Sequence, residues 1–391
     1  MSQRPQRFYE FFAGGGMARL GLGPDWQCLF ANEWCAKKAE TYRANFAPAS
    51  ELRVEDIWKL SVSDLPGQAD FAWASFPCQD LSLAGNGAGL DGLRSGTLIK
   101  FWSLMRDLAA AGRRVPIIAL ENVVGALTSS RGRDFEAMAE LAAGAGYRFG
   151  AVVIDAAKFV PQSRARLFFV AVSEYLDVPA ICQLREPASD WHSARLCAAV
   201  ANLGPDLRKR WIWWALPQAP KMMRNLNDII EFGNEELKWH SKEETQRLLG
   251  MMSETNAVKV RKAKQYGKRI VGTVYKRVRI ENGIRTQRAE VRFDQISGCL
   301  RTPVGGSSRQ TILVIEGHSI RSRLMSPREA VRLMGLPEYY RLPVRYNDAY
   351  HLAGDGVVVP VVRFLAERML EPLLLGVPER AGVPERGKEA A

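Results

Sequence analysis

The sequence predicts an α/β protein, with an open, largely parallel sheet and a second, smaller region that is irregular and partly β. Three observations carry this. Short apolar runs alternate with helix-like stretches through the first 180 residues. Small and polar clusters of unusual composition follow directly after several of those runs. Near residue 180 the periodicity fades, and a densely basic segment follows.

In chain order, the expected strands cover 8–12, 28–31, 71–75, 117–120, 152–154 and 167–172, with helices at 97–111 and 133–144. From 181 to about 324 the chain is first rich in Trp, Asn and Met, then basic. The basic part holds Lys259, Arg261, Lys262, Lys264, Lys268, Arg269, Lys276, Arg277, Arg279, Arg285, Arg288 and Arg292 against few acids, with a strand expected at 269–280. Ser326-Pro327-Arg328-Glu329 has the form of a capping box with Pro at the first helical position. Gly335 and Pro337 would end that helix. The apolar stretch 357–375 is expected to return to the first domain, and the last dozen residues to fray. The expected division is 1–180 plus 336–391 as one domain and 181–335 as another.

Composition narrows the function. The chain has 391 residues, enough for two domains, and its 47% hydrophobic and 25% charged residues place it among globular proteins. A net charge of +12 suits a polyanionic partner, nucleic acid before an anionic membrane, although a merely soluble basic protein would carry it too. No apolar run approaches the ~20 residues that span a bilayer, and the N-terminus lacks an apolar leader. Six cysteines show no C-x-x-C spacing and the four histidines are scattered, so no metal site is expected. A cytoplasmic setting and a monomer are the working expectations.

Five clusters could carry chemistry. Phe12-Ala13-Gly14-Gly15-Gly16 follows a strand, where glycines admit close approach of a ligand to the backbone; an ordinary glycine-rich turn would look the same. After the second strand, Glu33 could accept from a ribose and Trp34 could stack on an adenine. Pro77-Cys78-Gln79 places a thiol at a strand end before a long polar loop, where it is either a nucleophile or a small buried hydrophobe. Glu121 sits at the apolar edge of a site, which favours its acid form, unless it only opens a turn. In Gln162-Ser163-Arg164-Ala165-Arg166, the two guanidinium groups share one side of an extended chain, suited to a phosphate or a base carbonyl or else to solvent. Trp211, Trp213 and Trp214 fit a core better than a base-stacking platform.

Taken together these clusters resemble the cytosine-C5 DNA methyltransferase family, in the family's order and over nearly the whole chain. Residues 10–16 resemble its S-adenosylmethionine (AdoMet) loop, Asn32-Glu33-Trp34 its ribose and adenine contact, and Asp56-Ile57 a further adenine contact. Phe76-Pro77-Cys78-Gln79 resembles the nucleophile motif, and Gly96-Thr97-Leu98 the motif closing the catalytic loop. Glu121-Asn122-Val123 and Gln162-x-Arg164-x-Arg166 are similar to the base-holding motifs. Pro327-Arg328-Glu329 with Arg332 is similar to the motif supporting target recognition, and residues 354–360 to the motif completing the donor pocket.

The resemblance implies a Rossmann-like AdoMet-dependent methyltransferase acting on double-stranded DNA, with 181–335 as its target-recognition domain. It implies Cys78, Glu121, Arg164 and Arg166 as catalytic residues. It implies Phe12, Gly14, Gly16, Glu33, Trp34, Asp56, Ile57, Pro77, Leu98 and Asp355 around the donor. Cys78 would add to C6 of a flipped cytosine, Glu121 would bond N3, Arg166 would hold O2, and Arg164 would position strand and loop. Two positions depart from the pattern. Phe76 stands where the family often has a second Pro, and Asp355 where it usually has Asn. The Asp355 charge either caps a helix as Asn would or alters donor affinity. A tRNA methyltransferase of the same fold, a silent DNA-binding protein and, more distantly, a nicotinamide oxidoreductase are the competing readings.

Overall fold

The computed structural model describes residues 5–76, 96–188, 190–222, 224–234, 236–281, 283–302 and 309–375. Strand β1 (Gln6–Phe11) is central, pairing in parallel with β2 (Trp26–Glu33) on one side and β4 (Phe71–Ala74) on the other. Beyond β2 lies β3 (Leu52–Val54), and beyond β4 lies β5 (Ile117–Val123). A hairpin of β6 (Tyr147–Asp155) and β7 (Ala165–Ser173) completes seven strands in the order β3-β2-β1-β4-β5-β7-β6, with β7 antiparallel to both neighbours. The strand order reverses direction at β1, so a crevice opens at the carboxyl ends of β1 and β4.

Both faces of this sheet are covered, as a central parallel strand requires. On β1, Phe8 faces one core while Tyr9 and Phe11 face the other, following the two-residue period. Helices α1 (Met17–Leu22) and α2 (Ala36–Asn45) follow β1 and β2. Helices α3 (Gly96–Ala110) and α4 (Arg133–Gly144) bury Phe101, Trp102, Phe135 and Met138 against the face that carries Phe11. The segment after β7 carries β8 (Gln183–Leu184), α5 (Ala194–Ala201), α6 (Pro205–Lys209) and β9 (Trp213–Trp214). It lies against the edge of β6: the Ile212 N–H donates to the Phe149 carbonyl at 2.7 Å, Trp214 is fully buried, and Trp211 packs edge-on to Phe149 and Phe135.

The later segment forms a four-stranded antiparallel sheet with its own core. Helices α7 (Lys242–Gly250) and α8 (Glu254–Gln265) cover β10 (Ile270–Glu281), β11 (Ile284–Arg292), β12 (Thr311–Glu316) and β13 (Ser319–Leu324), in the order β11-β10-β12-β13. The expected strand at 269–280 is β10; the other three strands of its sheet were not expected from the sequence. Part of the basic excess is neutralised locally, since Glu290 pairs with Arg277 and Arg279, Glu281 with Arg288, and Asp294 with Arg292.

Ser326 caps α9 (Pro327–Arg332) by the reciprocal bonds of the capping box, and Gly335 takes the left-handed conformation (φ 75°) just beyond it. Helices α10 (Tyr346–Asp355), α11 (Val359–Leu365) and α12 (Glu371–Leu374) then return to the large sheet. The contact of α11 with α1 is close enough that a Cβ on Gly21 would lie 2.5 Å from Val362 Cβ.

Candidate active site

A cavity of about 770 Å³ lies in the crevice at the strand ends. Its described lining comes from seven separate stretches of chain: 10–18, 33–38, 75–76, 121–123, 164–166 and, from the later part, 299–302 and 352–357. The sequence-predicted residues Phe12, Gly14, Glu33, Trp34, Glu121, Arg164, Arg166 and Asp355 all line it. Pro77 and Cys78 lie outside the described residues.

The turn after β1 is held from both sides. Phe12, Gly14 and Gly16 adopt positive φ (57°, 56° and 76°). The Ala13 N–H donates to the Asn32 carbonyl at 2.9 Å, and the Gly14 N–H to Glu33 Oε2 at 2.8 Å. A second N–H, from Cys35, reaches Glu33 Oε1 at 2.8 Å. Each Glu33 oxygen keeps a lone pair for a further donor. A Cβ on Gly15 would lie 2.4 Å from the Tyr340 hydroxyl, which donates to the Gly15 carbonyl at 2.6 Å. Gly16 does not itself line the cavity; a Cβ there would strike the Phe46 ring at 2.3 Å. Beside the turn Trp34 is 74% exposed, leaving a bare aromatic face at the cavity mouth.

Three expected donor contacts are placed elsewhere. Asp56 accepts the Trp58 N–H at 3.0 Å and caps a short 3-10 turn, while Ile57 and Leu98 are buried in the core with α3. None of them is in the described lining.

On the other side of the cavity, Glu121-Asn122-Val123 are the last residues of β5 rather than a following loop. The antiparallel register sets Val123 opposite Arg166, so Glu121 and Arg166 share a face two positions apart. Arg166 Nε lies 3.1 Å from Glu121 Oε1, and both side chains are largely shielded from water. Asn122 Nδ2 donates to the Phe76 carbonyl at 3.0 Å, which fixes the backbone immediately before Pro77.

Arg164 does not share this role. Its guanidinium donates to the carbonyls of Leu300 (2.9 Å), Gly354 (2.9 Å) and Gly356 (2.8 Å), and it is buried. Burial, reinforced by the nearby Arg166, lowers it to about 10. It thus clips the antiparallel-sheet segment and the last loop to the end of β7. Gln162 does related work, accepting the Leu300 N–H at 3.0 Å and donating to the Leu333 carbonyl at 2.8 Å.

Lys38 and Glu10 also line the cavity, although the sequence reading gave neither a role of its own. Lys38, one turn into α2, forms an ion pair with Asp355 at 2.7 Å. Burial pulls the Lys38 ammonium down, but the charge and hydrogen bond of Asp355, together with Glu33 and Cys35, hold the group above the ordinary lysine value. Glu10, at the end of β1, is 1% exposed, and burial pushes it up to about 8 against the opposing pull of Arg19. No local signal flagged the first, because Trp34 lies before the helix that carries Lys38; the second was marked only as part of the stretch 10–16.

A family model described as C-5 cytosine-specific DNA methylase matches residues 6–371. The chain is 26% identical to the type II methyltransferase M.Bsp6I of Bacillus sp., over 93% of this chain and 98% of that one. It is 27% identical to M.NlaX of Neisseria lactamica (93% and 96%) and 24% to M.HhaI of Haemophilus parahaemolyticus (92% and 93%). In fold it is similar to the Entamoeba histolytica methyltransferase EhMeth (TM-score 0.61, 15% identity, 95% and 98% covered). It is also similar to a Spodoptera frugiperda DNMT2 mutant (TM-score 0.59, 17% identity, 95% and 99% covered). The chain belongs to the C-5 cytosine-specific DNA methylase family and is a DNA cytosine-C5 methyltransferase.

Proposed function

We propose that the protein methylates a cytosine flipped out of duplex DNA, with AdoMet as donor and Cys78 as nucleophile. The observation that carries the reading is that one cavity holds both a nucleoside-type wall and the Glu121–Arg166 pair. The donor fits the first wall: an exposed indole, a glutamate with spare lone pairs and a backbone turn without side chains suit an adenosine. Phe12, Gly14, Glu33, Trp34 and Asp355 would hold it, with Gly16 shaping the turn and Pro77 as a further proposed contact. When bound, AdoMet supplies a methyl group activated by its sulfonium.

The chain's own residues prepare the base. The Cys78 thiolate forms a bond to C6, and the ring electrons move to make C5 an enamine carbon. Glu121 bonds N3 and takes up the charge that develops there, while Arg166 donates to O2. Arg166 also holds the Glu121 carboxyl in place. Once C5 carries the methyl, its proton leaves and the C6–sulfur bond breaks, returning the thiolate. A stacked base admits none of this, so the cytosine must be extruded.

Residues 1–180 and 336–391 form the catalytic part of this reading and 181–335 the recognition part. The exposed end of the β10–β11 hairpin supports DNA as the partner. It projects Val278, Ile280 and Ile284 among arginines, and a two-stranded ribbon fits the major groove.

Duplex DNA carrying 5-fluorocytosine, incubated with enzyme and AdoMet, tests the mechanism. A covalent complex that survives denaturation, and is lost in Cys78→Ala, is expected. Methylation of ordinary duplex DNA that survives Cys78→Ala, read by bisulfite sequencing, overturns it. Methylation of tRNA but not DNA favours the RNA alternative.

A further inference from the structure

The β10–β11 hairpin runs on past its own sheet. Strand β12 pairs with β10 only over Ile270–Val274, so beyond that point β10 pairs with β11 alone. The register divides the ribbon into two faces. One carries Val274, Ala289 and Val291 and is buried at its base under α7 and α8. The other carries Tyr275, Arg277, Arg279 and Glu281 of β10 with Arg288 and Glu290 of β11. This second face adjoins the active site. Tyr275 and Arg277 line a cavity of about 160 Å³ together with Cys299 and Arg301, and the last two also line the active-site cavity. Glu290 is the centre of the face. Its Oε2 accepts from the Tyr275 hydroxyl at 2.5 Å, its Oε1 accepts from Arg279 Nε at 2.9 Å and from Arg279 Nη2, and Arg277 Nε lies 3.9 Å away. The Glu290 side chain is 19% exposed and that of Arg279 is 49% exposed, so the carboxylate is the shielded member of the cluster and the guanidinium the open one. Burial pushes Glu290 up, but the hydrogen bonds of Tyr275 and Arg279 and the charges of Arg279 and Arg277 hold it below the ordinary glutamate value. It is therefore ionised at neutral pH.

We propose that Arg279 reads a guanine flanking the target cytosine, and that Glu290 is the positioning residue that fixes the Arg279 guanidinium for this contact. The inference rests on the reading of duplex DNA as the partner given above. A guanidinium carries five N–H donors in a rigid fork. Nε and one Nη2 proton are engaged with Glu290, so the edge formed by Nη1 and the second Nη2 proton is turned away from the carboxylate. That edge suits two acceptors side by side. Among base edges in the major groove, guanine alone presents such a pair, O6 and N7. A phosphate also offers two acceptors, but the Glu290 charge beside the guanidinium opposes an anion and does not repel a neutral base edge. Holding one side of the fork also removes rotamer freedom that the contact would otherwise cost. The cavity shared through Tyr275 and Arg277 turns this face toward the active site, so the guanine is a near neighbour of the target base.

Hairpin-linked DNA duplexes with a central cytosine between randomised flanks, methylated by the full-length enzyme with AdoMet and read by bisulfite sequencing of both strands, test this. The wild type should prefer guanine at one fixed flanking position by about tenfold or more. Arg279→Lys keeps the charge but loses the fork, and should relax that position alone. Glu290→Gln should relax the same position by a smaller factor and leave the other positions as they were, which a general loss of stability would not do. Replacing that guanine by 7-deazaguanine removes the N7 acceptor, and should lower kcat/KM of the wild type by about tenfold and that of Arg279→Lys far less. An Arg279→Lys enzyme that methylates every sequence less well, with the preference intact, marks a phosphate contact and overturns the proposal. Intact selectivity in Glu290→Gln overturns it as well. A 7-deazaguanine scan of the wild-type substrate decides the matter even if neither variant folds, since the absence of any flanking guanine whose N7 matters also sinks it. Folded wild-type enzyme that methylates no duplex contradicts the DNA reading itself, a result distinct from methylation without a guanine preference.

Discussion

Asp355 stands where the family usually has Asn, and the structure gives its charge a partner. The Lys38–Asp355 pair closes one side of the cavity with both side chains partly open to water (26% and 43% exposed). A pair of that kind contributes roughly 0–1 kcal/mol. The expected effects of breaking it therefore have opposite signs and modest size. Asp355→Asn leaves the Lys38 ammonium facing a donor of net positive charge and should weaken AdoMet binding by up to about fivefold. Lys38→Met leaves the carboxylate and should tighten it by a similar factor. Calorimetry on both variants checks this; no change in either removes the charge argument, and a loss far above tenfold in Asp355→Asn means that the carboxylate touches the donor. Glu33 was legible from its place after the second apolar run. That both its oxygens would accept N–H groups from Gly14 and Cys35 was not, because those bonds depend on the fold of the turn.

At the scale of elements, register decides what local pattern leaves open. The run at 117–120 marked a strand, but its polar end, Glu121-Asn122-Val123, looked like a loop. The strand continues because β7 pairs with it up to Val123–Arg166, and that pairing sets the carboxylate beside the guanidinium. The start of α9 was legible from Ser326-Pro327-Arg328-Glu329 alone, since capping is local chemistry. The long-range use of Glu329 was not. Its Oε2 accepts from Arg323 of β13 at 2.7 Å, its Oε1 accepts the Glu231 N–H at 2.8 Å, and both side chains are essentially sealed from water. Removing one partner of such a pair leaves a buried charge uncompensated. Glu329→Gln should lower unfolding stability by about 3–5 kcal/mol, measured by chemical denaturation. A loss below about 1 kcal/mol would mean that water reaches Arg323.

For the whole molecule, the +12 net charge and the basic hairpin bear on DNA affinity rather than on fold. Binding should weaken linearly with the logarithm of salt concentration. Arg285, on the exposed hairpin, is expected to neutralise a phosphate, so Arg285→Ala should reduce that slope by about one unit without changing AdoMet affinity. An unchanged slope would place the hairpin off the DNA. By itself the sequence determined six of the seven strands of the large sheet, the short edge strand β3 excepted, together with the glycine turn, the capped helix and the residue types a methyl transfer to cytosine requires. These follow from local periodicity, from backbone conformations that glycine permits and from motifs read along the chain. Only the tertiary structure decided which of those residues meet. It drew Glu121 and Arg166 into a pair, turned Arg164 inward to three carbonyls, gave Asp355 a lysine and left one Glu10 carboxyl oxygen without a partner among the described residues. Contacts between residues hundreds of positions apart depend on register and packing, which no local window of sequence contains.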